Sequence, residues 1–378
     1  YYGECGGCQI QHIIYKEQLR LKVEMLKQSI LRYTSYDLKD IKFHDMIGME
    51  KPMNYRNKSQ MPVRNTEEGM ISGLYKKGSN ELVSIDNCPI QNEAINRVNK
   101  AVVKIMDKYE IFAFDPSTMR GMLRYIVTRV SEYSGEIQVT LVVTIYNRAL
   151  QPAAKEILEL SDVVSVAISK NRDAKNVEIF GEEVEVLEGK NTITEGIGNI
   201  RYDITPKAFY QLNPKQAEKL YQEVEKHLDF KTDKVIIDAY SGSGAVSMFL
   251  ANKVEKVLGI DMSKESIYSA LHNAKVNKFT NTQFEIGQVN EVLSKYMDKK
   301  FNPDVIIFDP PRSGIDYNTI DMLLSKTVKK IIYISCNPST LAKNINSLSK
   351  KYVVDSITPL DMFPHTSHIE SITVLRLR

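Results

Sequence analysis

The apolar positions near the start of the chain recur at helical spacing. Within residues 9–34, Ile10, Ile13, Ile14, Leu21, Met25 and Ile30 fall at intervals near three and four, which predicts an amphipathic helix. Residues 54–90 change character. Short extended runs such as SQMPVR and MISGLY are separated by Gly and Asn, the punctuation of hairpins. A helix is predicted over 91–110, paired strands over 122–131 and 135–146 around Ser134-Gly135, then a helix over 151–160, a strand over 163–169 and short strands to about 204. This half reads as α+β with antiparallel sheet. From about residue 205 the order becomes strand–helix–strand. Strands are predicted at 235–238, 254–261, 282–287, 304–309 and 330–335, a helix at 263–277, and a closing hairpin from VVDSITPLD and IESITVLRLR. Alternation of this kind predicts a doubly wound α/β sheet, so the expected domains are 1–204 and 205–378.

Composition narrows the class only slightly. The chain has 378 residues, enough for two buried cores, and no run of about 18 apolar residues or signal peptide. Four cysteines do not make a secreted disulfide scaffold, so a cytoplasmic protein is expected. The chain opens at Tyr1 without a Met, and it reads as lacking its beginning. Net charge is +3, but residues 1–130 hold 20 Lys/Arg against 15 Asp/Glu, with the excess near Lys51, Arg56, Lys58, Arg64, Lys76 and Lys77. A basic stretch of that size fits a solvated face as well as a nucleic-acid contact.

The candidate chemistry sits at predicted strand tips. Asp238-Ala239-Tyr240-Ser241-Gly242-Ser243-Gly244 follows the first strand of the α/β half and precedes a helix. Gly259-Ile260-Asp261 ends the second strand, where an acidic residue can accept from both hydroxyls of a ribose or cap the next helix. The pattern fits an adenosyl ligand. A GxGxxG fingerprint is absent, and Asp238 would repel a dinucleotide pyrophosphate but tolerate the cationic sulfonium of S-adenosylmethionine.

Two further strands end in reactive groups: Val305–Phe308 runs into Asp309-Pro310-Pro311-Arg312, and Ile331–Ser335 delivers Cys336 into Asn337-Pro338. Ligands of open parallel sheets lie outside the carboxyl ends of the strands, so both tips should face one crevice. The N–H groups of the following turn and helix are expected to lower the Cys336 pKa. Glu370, at the start of the last strand, supplies the carboxylate that a thiol-initiated addition needs as general base. The remaining cysteines form Cys5-Gly6-Gly7-Cys8 and Cys88-Pro89. A CxxC pair with a distant Cys-Pro suits iron–sulfur ligation, with zinc as direct competitor. A fourth ligand would lie upstream of Tyr1 or come from His12 or another residue.

Together these residues resemble the RNA 5-methyluridine methyltransferases, in particular the iron–sulfur-containing branch that acts on 23S ribosomal RNA. The resemblance runs over essentially the whole chain, through ECGGCQ, NCP, NYRNKSQMPVR, AFYQLNP, DAYSGSG, DPPRSG, SCNPSTLAKN and FPHTSHIE. It implies a class I S-adenosylmethionine-dependent methyltransferase domain preceded by an α+β RNA-binding domain with a [4Fe-4S] cluster. By resemblance Cys336 is the nucleophile and Glu370 the base. Gln211, Tyr240, Asp261 and Asp309 form the S-adenosylmethionine site, with Asp309 also close to the uracil, and Cys5, Cys8 and Cys88 are three of four cluster ligands. The family's first cluster cysteine would stand just before Tyr1. A monomer acting on 23S ribosomal RNA is implied, with Tyr55, Arg56, Lys58 and Phe209 as candidate RNA contacts. Ser241, Ala245 and Asp261 depart mildly from the family pattern. The competing readings are a tRNA uracil-5-methyltransferase, a cytosine-C5 methyltransferase, an NAD-dependent oxidoreductase and a non-enzymatic iron–sulfur RNA-binding module.

Overall fold

Runs such as VIIF and KIIYIS have no polar face, and the computed structural model, which describes residues 1–173, 178–298 and 302–378, buries both runs completely as strands Val305–Phe308 and Lys330–Ser335. Strands covered on both faces read as continuous apolar runs rather than alternating ones. They lie inside an eight-stranded sheet. Its order is Lys42–Phe43, Tyr352–Leu360, Glu370–Leu377, Lys330–Ser335, Val305–Phe308, Val235–Ala239, Lys256–Asp261 and Thr282–Ile286. Every pairing among these is parallel except those of Glu370–Leu377, which runs antiparallel to both neighbours. Val235–Ala239 has the next strand in the chain on one side and Val305–Phe308 on the other. The winding therefore reverses there, and that is where such sheets leave a crevice at their carboxyl ends.

The chain divides into two compact units, and the division differs from the expected one at 204/205. Residues 13–50, 197–201 and 215–378 form the unit holding this sheet; residues 1–12, 51–196 and 202–214 form the other. The helix Tyr15–Tyr33 therefore belongs with the α/β sheet. Its buried stripe is Gln18, Lys22, Leu26 and Ile30, whereas Ile14 and Met25, which the periodicity placed on the apolar face, are 75% and 47% exposed. Leu26 and Ile30 join the core formed by Ile345, Leu348 and Tyr352. Lys22 is tolerated inside because its Nζ lies 2.6 Å from Asp361 Oδ1, both side chains being fully buried. A single amphipathic helix does not declare in its own sequence which sheet it will cover. Lys42–Phe43 then adds a parallel edge strand beside Tyr352–Leu360.

The other unit holds a seven-stranded sheet in the order Leu82–Ser84, Gly69–Tyr75, Lys58–Thr66, Leu123–Val130, Ile137–Val143, Val163–Lys170 and Val184–Gly189. It is antiparallel except that Ile137–Val143 and Val163–Lys170 run parallel, which is possible because the helix Leu150–Leu158 makes the crossover between them. The helix Glu93–Lys108 presents Val98, Val102, Ile105 and Met106 to the same core as Ile126, Val139 and Ile157. No helix among the described residues is long and apolar enough to cross a membrane.

Candidate active site

The glycine turn after Val235–Ala239 is shaped by close packing. Gly244 and Gly259 lie against Phe284, so near that a Cβ at either position would come within 2.9 Å of its ring. Gly244 has φ +78° and Tyr240, without the freedom of glycine, has φ +64°. Non-glycine residues in that region are uncommon and concentrate at functional sites. The Tyr240 hydroxyl donates to Asp316 Oδ2 at 3.2 Å, and burial next to Asp316 pushes it up to about 12. Asp261 holds the turn: its Oδ2 accepts from the Gly242 N–H at 2.9 Å and its Oδ1 from the Ser263 N–H at 2.8 Å. The cap of the helix Lys264–Val276 is Ser263, not Asp261. A carboxylate has about four acceptor positions, so Asp261 keeps capacity for hydroxyl donors.

Asp238 is the group sequence reasoning left out of its site residues. It is buried; its Oδ2 accepts from the Ser247 N–H and hydroxyl at 2.9 and 2.6 Å, while no donor among the described residues reaches Oδ1. A buried unsatisfied carboxylate oxygen is costly and calls for an explanation, and a cationic ligand is one. The signal was present in the sequence as an acid ending an otherwise apolar strand.

Asp309 follows the neighbouring strand, with its N–H on the Ala239 carbonyl at 3.3 Å. Burial pushes both Asp238 and Asp309 up to about 7, and each has a like-charged neighbour that adds to the effect, Asp261 for Asp238 and Asp238 for Asp309. Carboxyls set this close and this deep do not readily ionise together. A ligand carrying positive charge would relieve them, and in this respect the residues fit S-adenosylmethionine.

The loop carrying Asp309 is locked to the turn carrying Cys336. Asn337 Nδ2 and Thr340 Oγ1 both donate to the Arg312 carbonyl, at 3.1 and 3.2 Å. Asn344 Oδ1 accepts from the Ile315 N–H and the Tyr333 hydroxyl. Gly314, at φ +80°, is required because a Cβ there would stand 2.5 Å from Asn344 Oδ1. Cys336 itself lies between Ser335 and Asn337, the residue that caps the helix Pro338–Leu348 by accepting from the Ser339 N–H.

The expected lowering of the Cys336 pKa is not what this setting produces. Burial pushes the thiol up to about 11, and Glu370 and Asp309 push in the same direction. Arg312 and the backbone at Cys336 pull it down, but by less. Glu370 is held well above the usual carboxylate range by burial and by Asp309, again opposed by Arg312. The Arg312 guanidinium is thus the cation that bears on both groups, and it is hydrogen-bonded to the His368 ring at 2.8 Å. Its role was not foreseen, although it stands beside the Pro-Pro turn.

The structure therefore brings Cys336, Glu370, Tyr240, Asp261 and Asp309 into one unit at the tips of adjacent strands. Gln211 belongs to the other unit, where its carbonyl accepts from Asn57 Nδ2 at 3.1 Å. Cys5, Cys8 and Cys88 also lie there. Cys88 is buried, with its sulfur facing the Ile90 and Gln91 N–H groups, and Cys5 Sγ accepts from the Gly7 N–H at 3.3 Å. Burial, then the nearby Cys88 and Cys5, push Cys8 up to about 11. These three cysteines were expected as three of four cluster ligands, and among the described residues no group of three His, Cys, Asp or Glu side chains could hold a metal ion. His12 is engaged with the Tyr2 hydroxyl.

Comparison with known proteins places this geometry. The family described as tRNA (Uracil-5-)-methyltransferase matches residues 14–378. An uncharacterized RNA methyltransferase of Bacillus anthracis is 39% identical over 380 residues, spanning 100% of this chain and 82% of the relative. One of Listeria innocua is 40% identical, spanning 100% and 83%. Among solved structures, Pyrococcus abyssi tRNA (uracil-54, C5)-methyltransferase in complex with S-adenosyl-L-homocysteine aligns with a TM-score of 0.80 at 27% identity, covering 99% of this chain and 86% of that one.

Proposed function

Since the chain belongs to the family of S-adenosylmethionine-dependent RNA uracil-5-methyltransferases, we propose that it methylates C5 of a uridine in 23S ribosomal RNA through a covalent adduct on Cys336. The observation that carries the chemistry is the placement of Cys336 across an antiparallel register from Glu370, with Ser335 paired to Ser371 and Asp309 acting electrostatically on both.

Uracil C5 is a weak nucleophile. Addition of the Cys336 thiolate to C6 forms an S–C6 bond and moves the C5=C6 electron pair onto C5 and O4. S-adenosylmethionine supplies an electrophilic methyl on a sulfonium that leaves as a neutral thioether. C5 takes that methyl, Glu370 removes the C5 proton, the C5=C6 bond reforms and the S–C6 bond breaks to return the thiolate. The raised Glu370 pKa makes it a stronger base once ionised. Asp238, Asp261 and Asp309 orient the cationic cofactor, and Asp309 also holds a polar edge of the uracil. The target base must leave any stack to reach strand tips of this kind, which costs a few kcal/mol and least in a loop.

The ribosomal target, the cytoplasmic setting and the cluster belong to the same reading, supported by the three cysteines. The N–H groups facing the Cys5 and Cys88 sulfurs suit thiolates that ligate a [4Fe-4S] cluster. A tRNA target is the second reading, favoured by the likeness to the Pyrococcus abyssi enzyme. Methyl transfer from labelled S-adenosylmethionine to 23S ribosomal RNA and to tRNA transcripts, mapped by mass, separates the two. Exclusive labelling of tRNA removes the ribosomal target, and no labelling of either removes the activity.

A further inference from the structure

The buried stripe of the helix Tyr15–Tyr33 is apolar at Leu26 and Ile30 but polar at Lys22 and Gln18, both fully buried. A buried amide is tolerated where its hydrogen bonds are made. Gln18 Nε2 donates to the Ile13 carbonyl at 2.7 Å and lies 3.1 Å from His365 Nδ1, while its Oε1 accepts from the His365 N–H at 2.9 Å. The helix thus grips one residue of the loop between Leu360 and Glu370 by both backbone and ring.

That residue is unusual. His365 is buried and has φ +68°. A side chain other than glycine is uncommon in that region, and it persists where its surroundings over-determine it. The bond from the His365 N–H identifies which end of the Gln18 amide is oxygen. Gln18 Nε2 can then only donate to Nδ1, so the ring is neutral with its proton on Nε2. The loop is fixed on either side as well. Lys22 Nζ and the Thr366 hydroxyl both donate to the Phe363 carbonyl, at 3.1 and 2.7 Å, and Gln216 Nε2 donates to the Asp361 carbonyl at 2.8 Å. Thr366 Oγ1 accepts from the His368 N–H at 3.3 Å, and the His368 ring meets Arg312 at 2.8 Å. Two residues further on, Glu370 begins its strand in register with Leu360.

We propose that Gln18 is a positioning residue for the general base. By pinning His365 in the left-handed region it sets the direction in which the chain enters Glu370, and so where that carboxylate meets the C5 proton. Gln18 acts through the loop, from 347 positions away in the chain. Cys336 leaves a different strand, so its addition to C6 does not depend on this contact. The inference rests on the uracil-C5 methyltransferase reading and gives one residue a role in one step of it.

The test separates the two halves of the reaction in a single turnover with uridine RNA, following the adduct on denaturing gels. Gln18→Met keeps the length of the side chain and removes its hydrogen bonds. Release of methylated RNA from the adduct should slow about tenfold while adduct formation stays within about twofold of wild type, because a small displacement of a positioned base costs at least that much. KM for S-adenosylmethionine should not change. A merely structural glutamine lowers the amount of active protein and leaves the ratio of the two rates as it was, and that result overturns the proposal. His365 gives a second pair of variants. His365→Ala removes the ring contact and keeps the penalty of the left-handed region, so release should slow; His365→Gly removes contact and penalty together and should recover most of the rate. Equal slowing in both contradicts the backbone argument. Should wild type fail to methylate RNA, the activity reading falls, and hydrogen exchange decides the contact by itself. Faster exchange in Gln18→Met confined to residues 361–370 leaves the clamp standing, and unchanged exchange there removes it.

Discussion

Cys336 and Glu370 stand at adjoining tips of an antiparallel pair: Ser335 is registered with Ser371, so the thiol leaves one strand where the carboxylate enters the other. That relationship adds to the burial that raises Cys336, while Glu370 itself is raised by burial and by Asp309. Removing the carboxylate should separate its two effects. Glu370→Gln should make Cys336 ionise at lower pH, measured as alkylation by iodoacetamide against pH. Methyl transfer should still occur, while release stalls and a protein–RNA adduct accumulates on a denaturing gel. Free turnover by the variant would remove Glu370 as the base.

Arg312 acts against burial at the same two groups. Arg312→Met should shift Cys336 alkylation to higher pH and reduce methyl transfer at pH 7 by at least tenfold, with partial recovery at pH 9. A uniform loss at all pH values would mean that Arg312 acts on RNA binding rather than on ionisation.

Asp238 and Asp309 are both held near 7 in the folded chain, above the ordinary unfolded carboxyl value of about 3.9. The folded state then binds more protons than the unfolded one between about pH 4 and 7, so the stability these groups contribute falls as pH rises through that window. Asp238→Asn should raise the thermal midpoint at pH 8 and leave it nearly unchanged at pH 4. A cationic cofactor favours the ionised carboxylates, so S-adenosylmethionine affinity should increase between pH 6 and 8 with release of protons. Calorimetry in two buffers of different ionisation heat measures that release.

Lys22 and Asp361 join the first helix to the loop before Glu370. Asp361 also accepts from the Tyr15 hydroxyl at 2.9 Å, and Lys22 donates to the Phe363 carbonyl at 3.1 Å. Removing one partner of a fully buried pair typically costs about 3–5 kcal/mol, while replacing both by apolar groups costs much less. Lys22→Met should therefore be strongly destabilised in urea unfolding, and Lys22→Met with Asp361→Leu should recover most of the loss.

Much of the catalytic unit was legible because its strands are uninterrupted apolar runs that end in chemically distinct residues. Asp309 and Cys336 were placed at strand tips from that pattern alone. The ionisation of Cys336 was not legible. Its own backbone and Arg312 lower it, not the N–H groups of the following turn and helix that the sequence pointed to, while Glu370 and Asp309 are brought beside it by the sheet and burial dominates. The position of the first helix was hidden for a related reason: Gln18 and Lys22 look solvent-facing until Asp361 and His365, more than 300 residues away, supply their partners. The cysteine motif suggested a cluster site, and Cys8 does lie where Cys88 and Cys5 act on it, but no group of three His, Cys, Asp or Glu side chains among the described residues could hold a metal ion.

The covalent adduct is the most direct test of the account. Wild-type protein, S-adenosylmethionine and RNA carrying 5-fluorouridine at the target should yield a complex that survives denaturation, because fluorine at C5 blocks the proton removal that frees the thiol. Mass spectrometry of the digested complex should place the methylated nucleotide on the peptide containing Cys336, and Cys336→Ala should give neither complex nor methyl transfer. Normal methyl transfer by Cys336→Ala, or a wild-type adduct on another residue, would contradict it.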